Sequence, residues 1–414
     1  MAFLLTENMD NKKKSKKYRF GYYNTLYKAL VIKFKRRYKP IIDKEALQSL
    51  DRPCLIFCNH GSIFDFILAG AVILPKKAVF VTTRRTMFKI PFNWVVNKAP
   101  HILRDQFSAD VKSIIEMRDA LKQGYNVVLY PEGKVSTCGV TNHIPKATGK
   151  LVKLFKVPVV TILSKGNWAV KPSWASHLRD GRVELTSKLI LDEEQIEKMS
   201  QEELQQVIEK ELSYNENLYQ IENNYEFRGL HFAEGLEKVL YKCPVCQKEF
   251  CMTTKDFDIT CTNCGFTAKY NRNGKITSSE ENFNFDRIDL WYDYEKESLR
   301  KELESDDFKI VGRVSCEVAN EKKAKYDVIG EGDLIMDKNA IKFVPDNNGE
   351  PLTYKIDKVE SIPFTVGVQI YLIIDGKNYE FTFTDKLMST KYNMAVELLS
   401  EGRDVEKKKR KGRG

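Results

Sequence analysis

The sequence predicts an α/β domain with a largely parallel sheet, followed by a small cysteine-bearing ribbon and a β-rich module closed by a helix. Three observations carry this. Short apolar runs alternate with helix-period segments between about residues 51 and 190. Two C-x2-C pairs sit close together between Cys243 and Cys264. Short strand-like runs punctuated by Gly330-Glu331-Gly332, Asn347-Asn348-Gly349 and Asp375-Gly376-Lys377 fill residues 308–384.

In the first region the strand-like runs are Cys54–Cys58, Ala78–Val81, Asn126–Tyr130 and Val157–Leu163. Helical patterns at Phe64–Leu74, Ala109–Lys122 and Lys146–Phe155 lie between them. Helical segments over Asp192–Leu212 follow, with Asp192 placed as an N-cap. Residues 280–305 are charged and expected to be partly helical, and a last helix is expected over Asp385–Ser400.

Ahead of all this, Phe20, Tyr23, Tyr27, Leu30, Val31 and Phe34 fall within one helical arc, flanked by Lys28 and Lys35. An apolar stripe with basic flanks suits a membrane interface. The alternative is a helix whose stripe packs on the next domain. From Asn11 to Ile42 there are twelve Lys or Arg and no acid, and KKKRKGRG closes the chain. These basic ends account for much of the net charge of +10 and imply contact with something anionic, a lipid surface or nucleic acid. No apolar run is long enough to predict a spanning helix, and the N-terminus has no secretory-signal pattern. Nine cysteines, four of them in two pairs, suit a reducing compartment.

The segment Asn59 to Asp65, NHGSIFD, follows a predicted strand. Histidine is the side chain best suited to removing a proton near neutral pH. Five residues are about 500° of helical rotation, so His60 and Asp65 cannot share a helix face. They can meet if His60 lies in the turn and Asp65 opens the helix. Asp65 would then accept from one ring nitrogen and leave the other free. There is no G-x-S-x-G elbow and no P-loop, so the proton would come from a substrate. The segment Tyr130 to Ser136, YPEGKVS, also follows a strand. Ligands bind outside the carboxyl ends of strands in such sheets, so both segments point to one edge. Gly133 permits close backbone approach, and Lys134 offers charge to a phosphate. Taken singly, His60 reads as a satisfied buried histidine and Pro131-Glu132-Gly133 as a turn.

In this order the segments resemble the PlsC-type lysophosphatidate acyltransferase family. Its N-H-x4-D motif stands as Asn59-His60 to Asp65, and its F-P-E-G motif as Tyr130-Pro131-Glu132-Gly133-Lys134-Val135-Ser136. MFKIPF followed by APHILRD looks like the second motif, with Arg104 at the position of the acceptor-binding arginine, and Val157 to Val160 looks like the fourth. The resemblance spans roughly residues 20–215. It implies transfer of an acyl group from acyl-CoA or acyl-carrier protein to a glycerol hydroxyl of a lysophospholipid, lysophosphatidate or related. It also implies His60 as base, Asp65 as its partner, and Asn59, Arg104, Glu132, Gly133 and Lys134 about the substrate. The arginine of the third motif is Val135 here, which cannot grip phosphate in two places.

Cys243-Pro244-Val245-Cys246 and Cys261-Thr262-Asn263-Cys264 suit a closed, structural zinc site of four thiolates. An iron–sulfur centre or a redox dithiol are the alternatives, and Cys251 reads as a spare. The ribbon is similar to ones that follow such acyltransferase domains in some bacterial proteins. Residues 308–401 resemble a pleckstrin-homology or GRAM-like module by pattern. The expected layout is a basic amphipathic helix region (1–45), the acyltransferase-like domain (46–225), the ribbon (240–275), a partly helical linker (276–307), the β-rich module (308–401) and a basic tail (402–414). The expected setting is cytoplasmic, peripheral on the inner face of a membrane with anionic lipids. Two other readings are an inactive lipid-binding or scaffolding protein on the same fold, and a nucleic-acid binder. Mixed charge on the ribbon (Lys242, Lys248, Glu249, Lys255, Asp256, Asp258, Lys269) disfavours nucleic acid.

Overall fold

A computed structural model describes residues 17–21, 23–84, 100–106, 110–281, 283–320 and 325–411. A π-helical turn, Tyr23–Tyr27, leads into helix α1 (Lys28–Tyr38). The first domain then runs β1 (Ile41–Asp43), β2 (Leu55–Cys58), α2 (Asp65–Ile73), β3 (Ala78–Thr83), β4 (His101–Arg104), α3 (Val111–Lys122), β5 (Asn126–Leu129), α4 (Ala147–Phe155), β6 (Val159–Lys165) and β7 (Glu184–Leu191). After a short helix, Glu193–Lys198, come α5 (Gln201–Leu212) and α6 (Glu216–Glu222).

The sheet order is β1-β7-β6-β2-β5-β3-β4. From β6 to β4 every neighbouring pair is parallel, and β7 reverses against β6. All four residues of β2 and of β5 are buried, as strands covered on both faces must be. Helix α2 is buried almost all round because it carries Ile67, Leu68, Ala69, Ala71, Val72 and Ile73 in one run. Asp192 caps the short helix as expected, in a capping box with Gln195.

The N-terminal stripe is corrected by its packing. Phe20, Tyr27, Val31 and Phe34 are all buried in the core. Tyr27 lies on Gly70 of α2, where any Cβ would strike its ring, and its hydroxyl donates to the Phe66 carbonyl. Covering its apolar residues with α2 removes more area from water than a lone helix could, so the stripe faces protein rather than lipid. Lys28, Lys33, Lys35, Arg36 and Arg37 stand exposed on the outer side. Among the described residues no helix is long and apolar enough to cross a membrane.

The ribbon is a four-stranded antiparallel sheet, β8 (Met252–Lys255), β9 (Asp258–Cys261), β10 (Thr267–Tyr270) and β11 (Ile276–Thr277), in the order β11-β10-β9-β8. Helix α7 (Ile288–Glu302) packs on it, with the Trp291 indole donating to the Lys242 carbonyl over 2.9 Å. The last module has seven antiparallel strands: β12 (Ile310–Asn320), β13 (Lys325–Met336), β14 (Ala340–Pro345), β15 (Leu352–Lys355), β16 (Phe364–Thr365), β17 (Gln369–Ile374) and β18 (Lys377–Phe383). Their order is β15-β14-β13-β12-β18-β17-β16, closed by helix α8 (Met388–Lys411). That helix is longer than the sequence pattern predicts, because the polar residues after Ser400 continue it without an apolar period.

Candidate active site

Three adjacent strands, β6, β2 and β5, run parallel and end at the same edge, and the site is built on their ends. Asn59 follows β2 directly. Its side-chain amide donates to the Ser164 carbonyl over 2.9 Å, and its oxygen accepts from the Ser164 N–H over 2.8 Å. This locks the β2 turn to the end of β6. On the other side, the His60 main-chain N–H donates to Glu132 Oε1 over 2.7 Å, and the Ser136 N–H donates to the His60 carbonyl over 2.7 Å. The turn is thereby held between both neighbouring strand ends.

The imidazole of His60 lies with Nδ1 2.6 Å from Asp65 Oδ2. Asp65 begins α2, as the spacing requires. Its carboxylate also accepts from the Ser62 N–H at 3.1 Å and from the side-chain amide of Asn167, so it is both buried and well supplied with donors. Burial raises the Asp65 carboxyl above its ordinary value, while His60, Ser62 and Asn167 pull it back. The His60 ring packs on Tyr130 at a centroid distance of 4.7 Å. Its side chain is 23% exposed against 4% for Asp65, and among the described residues nothing hydrogen-bonds Nε2. An imidazole oriented by a buried carboxylate, with its second nitrogen uncommitted, is the arrangement of a general base.

The serines and the cysteine nearest the ring, Ser62, Ser136, Ser164 and Cys58, are all buried. Ser62 is 1% exposed and its oxygen accepts from the Phe64 N–H. Ser136 donates to the Val140 carbonyl, and burial drives the Cys58 thiol far above its usual range. A cavity of about 10 Å³ beside His60 is lined by Ser136, Ser164, Trp168, Tyr214 and Glu216. It has room for about one water and none for an acyl chain.

Two expected substrate contacts have other roles. Glu132 was expected at the acceptor, but it is 1% exposed, and its Oε2 accepts from the Asn142 N–H at 2.7 Å and side-chain amide at 2.9 Å. With Oε1 on His60, both its oxygens tie the chain to itself. Burial pushes its carboxyl up to about 7 against the pull of Asn142 and His60. Lys134 was expected to meet a phosphate. Instead it is 7% exposed, and its ammonium donates to Asn393 Oδ1 at 2.7 Å and to Glu397, both on α8. A charge already desolvated and paired has little left for a ligand.

Gly133 sits at φ +70°, a left-handed turn that favours glycine, and its carbonyl accepts from Gln106. Arg104 ends β4, at the same edge but three strands from β2, about 14 Å across the sheet. Burial lowers its guanidinium, with Asp110 opposing that shift. MFKIPF lies outside the described residues. Sequence reasoning missed Asn142, Ser164, Asn167 and Glu216. Burial pushes the last of these up to about 7, and it accepts from the Gly166 N–H over 2.9 Å.

In the ribbon the four cysteine sulfurs of Cys243, Cys246, Cys261 and Cys264 lie within 4.8 Å of one another and could hold a metal ion. The Cys243–Cys264 and Cys246–Cys261 separations are both 3.7 Å. Four thiolates at zinc's bond length of about 2.3 Å stand about 3.8 Å apart at the corners of a tetrahedron. Gln247 and Gly265, each following a second cysteine, both have positive φ and turn the two knuckles alike.

No curated protein matches the chain. Among solved structures it is similar to the 1-acyl-sn-glycerophosphate acyltransferase PlsC of Thermotoga maritima, at 20% identity over 51% of this chain and 84% of that one, with a TM-score of 0.37. Residues 40–165, the stretch from β1 to the end of β6 that carries His60, Asp65 and Glu132, match the family model described as Acyltransferase.

Proposed function

We propose that the chain transfers a fatty acyl group from an acyl thioester, acyl-CoA or acyl-carrier protein, to the hydroxyl of a lysophospholipid, lysophosphatidate or a related alcohol. The observation that carries this is His60 held by Asp65 through Nδ1, with Nε2 uncommitted among the described residues. The thioester carbonyl is already activated, so the base needs only to strip the acceptor hydroxyl as it attacks. The same imidazolium then gives its proton to the departing thiolate. Among the described residues Ser62, Ser136, Ser164 and Cys58 are buried, which supports direct transfer without an acyl-enzyme. Asn59 and Glu132 hold the base in register, and Arg104, at the same sheet edge, is left to meet a headgroup.

The ribbon holds zinc as a structural ion, supported by its sulfur spacing. Seven antiparallel strands closed by one helix support a module of the pleckstrin-homology type, and the exposed cations of α1 support docking on an anionic leaflet. The test is purified protein with labelled acyl-CoA and acyl-carrier protein against a panel of lysophospholipids, run beside His60→Ala. Transfer that is lost in the variant is expected; equal turnover by both would remove the base.

A further inference from the structure

We propose that Lys134 and Glu397 are positioning residues for acyl transfer, so that the C-terminal module completes the loop that holds the catalytic histidine. This rests on the acyltransferase reading above. The loop 130–136 leaves β5 and passes beneath α8. There the Lys134 ammonium donates to Asn393 Oδ1 over 2.7 Å and to Glu397, and lies 5.3 Å from the centre of the Phe364 ring. Each of these partners belongs to the C-terminal module, more than two hundred residues away in sequence.

The acceptors are held ready. Ser361 donates to Glu397 over 2.6 Å, and the Asn393 amide donates to Ser361 Oγ at 3.1 Å and to the Ile362 carbonyl at 2.9 Å. Burial alone would raise the Glu397 carboxyl, yet Lys134 and Ser361 outweigh it and hold it below its ordinary value. A second contact lies alongside, with His143 Nε2 3.4 Å from a carboxylate oxygen of Glu360.

From Lys134 the connection to the base is short. Its carbonyl accepts from the Asn142 amide at 3.2 Å, the same amide reaches Glu132 Oε2 at 2.9 Å, and Glu132 Oε1 takes the His60 N–H at 2.7 Å. Moving the loop by one hydrogen-bond length moves the main chain of the base. A misplacement of about 1 Å at a catalytic group costs on the order of a hundredfold in rate. A buried ion pair is a poor source of stability compared with an apolar pair of the same size. Its use here is to fix the register of the module against the loop. It also cancels the only cation in Tyr130–Ser136.

The experiment uses the full chain as wild type, His60→Ala, Lys134→Met, Glu397→Gln and the double variant Lys134→Met with Glu397→Met. kcat and KM are measured per folded molecule, well below the melting point of each variant, with zinc content as a check on the ribbon. Amide hydrogen exchange at His60 and Asn142 is read in parallel. The expected result is kcat down at least tenfold in each single variant with KM within threefold. Exchange at His60 and Asn142 should be at least tenfold faster, and both readouts should return toward wild type in the double. Single variants with wild-type kcat and wild-type exchange overturn the proposal. So does a double variant no better than the singles, which would make the Lys134 charge itself the requirement. Wild type without turnover on any pair of substrates sinks the acyltransferase reading instead, and exchange at the two amides still decides whether Lys134 and Glu397 hold the loop.

Discussion

His60 Nδ1 and Asp65 Oδ2 stand 2.6 Å apart, with the carboxylate buried and the imidazole partly open. The pair sets the tautomer and aim of the ring, and that sets what its loss should do.

Asp65→Asn keeps the shape but offers an amide where Nδ1–H needs an acceptor. kcat should fall about 10³- to 10⁴-fold, as when the wrong tautomer is selected in a histidine–carboxylate pair. Steady-state assays with labelled acyl thioester measure this. A variant within tenfold of wild type would mean that Asp65 does not orient the base.

Glu132→Ala removes the acceptor for the N–H groups of His60 and Asn142, both part-buried, and leaves a cavity where a buried side chain stood. A fully buried orphaned donor costs about 1–3 kcal/mol and a part-buried one less, so the variant should lose roughly 1–4 kcal/mol in denaturant unfolding. A loss below about 1 kcal/mol would show that this carboxylate does not brace the two loops.

Burial raises Glu132 and Glu216 to about 7, from an ordinary value of 4.5, and Glu360 raises His143. For each group the folded pKa lies above the unfolded one. The stability linked to it is therefore full below the unfolded pKa and lost as pH climbs through the folded one. For Glu216 the window is about pH 4.5 to 7 and the size on the order of 3 kcal/mol. Thermal melting should fall between pH 5 and 8, and Glu216→Gln should flatten part of that fall. A wild-type melting point that rises across the window would contradict the sign.

The ribbon should bind one zinc per chain. Cys261→Ser should release it and loosen the packing of Trp291 against Phe266 and Phe283, seen as a shift in tryptophan emission. Cys251→Ser should keep the metal, although its sulfur is 3.4 Å from that of Cys261. Metal analysis showing loss of zinc in the Cys251 variant would reassign the ligand set.

Because Val31 and Phe34 are buried on a helix that packs against α2, deleting the N-terminal helix would strip a covered apolar face. The cleaner probe is charge reversal of Lys33 and Arg36, both exposed. Sedimentation with anionic vesicles should drop, most at low salt, with melting unchanged. Binding that is indifferent to both substitutions would leave α1 a packing element only.

What could be read from the sequence was local. His60 and Asp65 lie within one turn and one helix start, and the cysteine pairs carry their own spacing. The strand alternation gave the layer and the edge where the site forms. Asn59 with Ser164, Asp65 with Asn167 and Lys134 with Glu397 are joined across 105, 102 and 263 residues, where no period or spacing reports contact. Lys134 was misplaced for that reason, since a lysine after a strand reads the same whether a phosphate or a distant carboxylate waits for it. The N-terminal stripe showed an apolar face but not what covers it. The reversal of β7 was hidden because pattern gives a strand's faces and not its direction.

Strand β2 lies between β5 and β6, both of which come later in the chain. While the polypeptide is being synthesised, the turn bearing His60 has neither neighbour. The 105 residues from Asn59 to Ser164 take roughly 5–20 s to emerge at ordinary translation speeds. A ribosome-bound fragment that stops short of Ser164 therefore carries the histidine without its support.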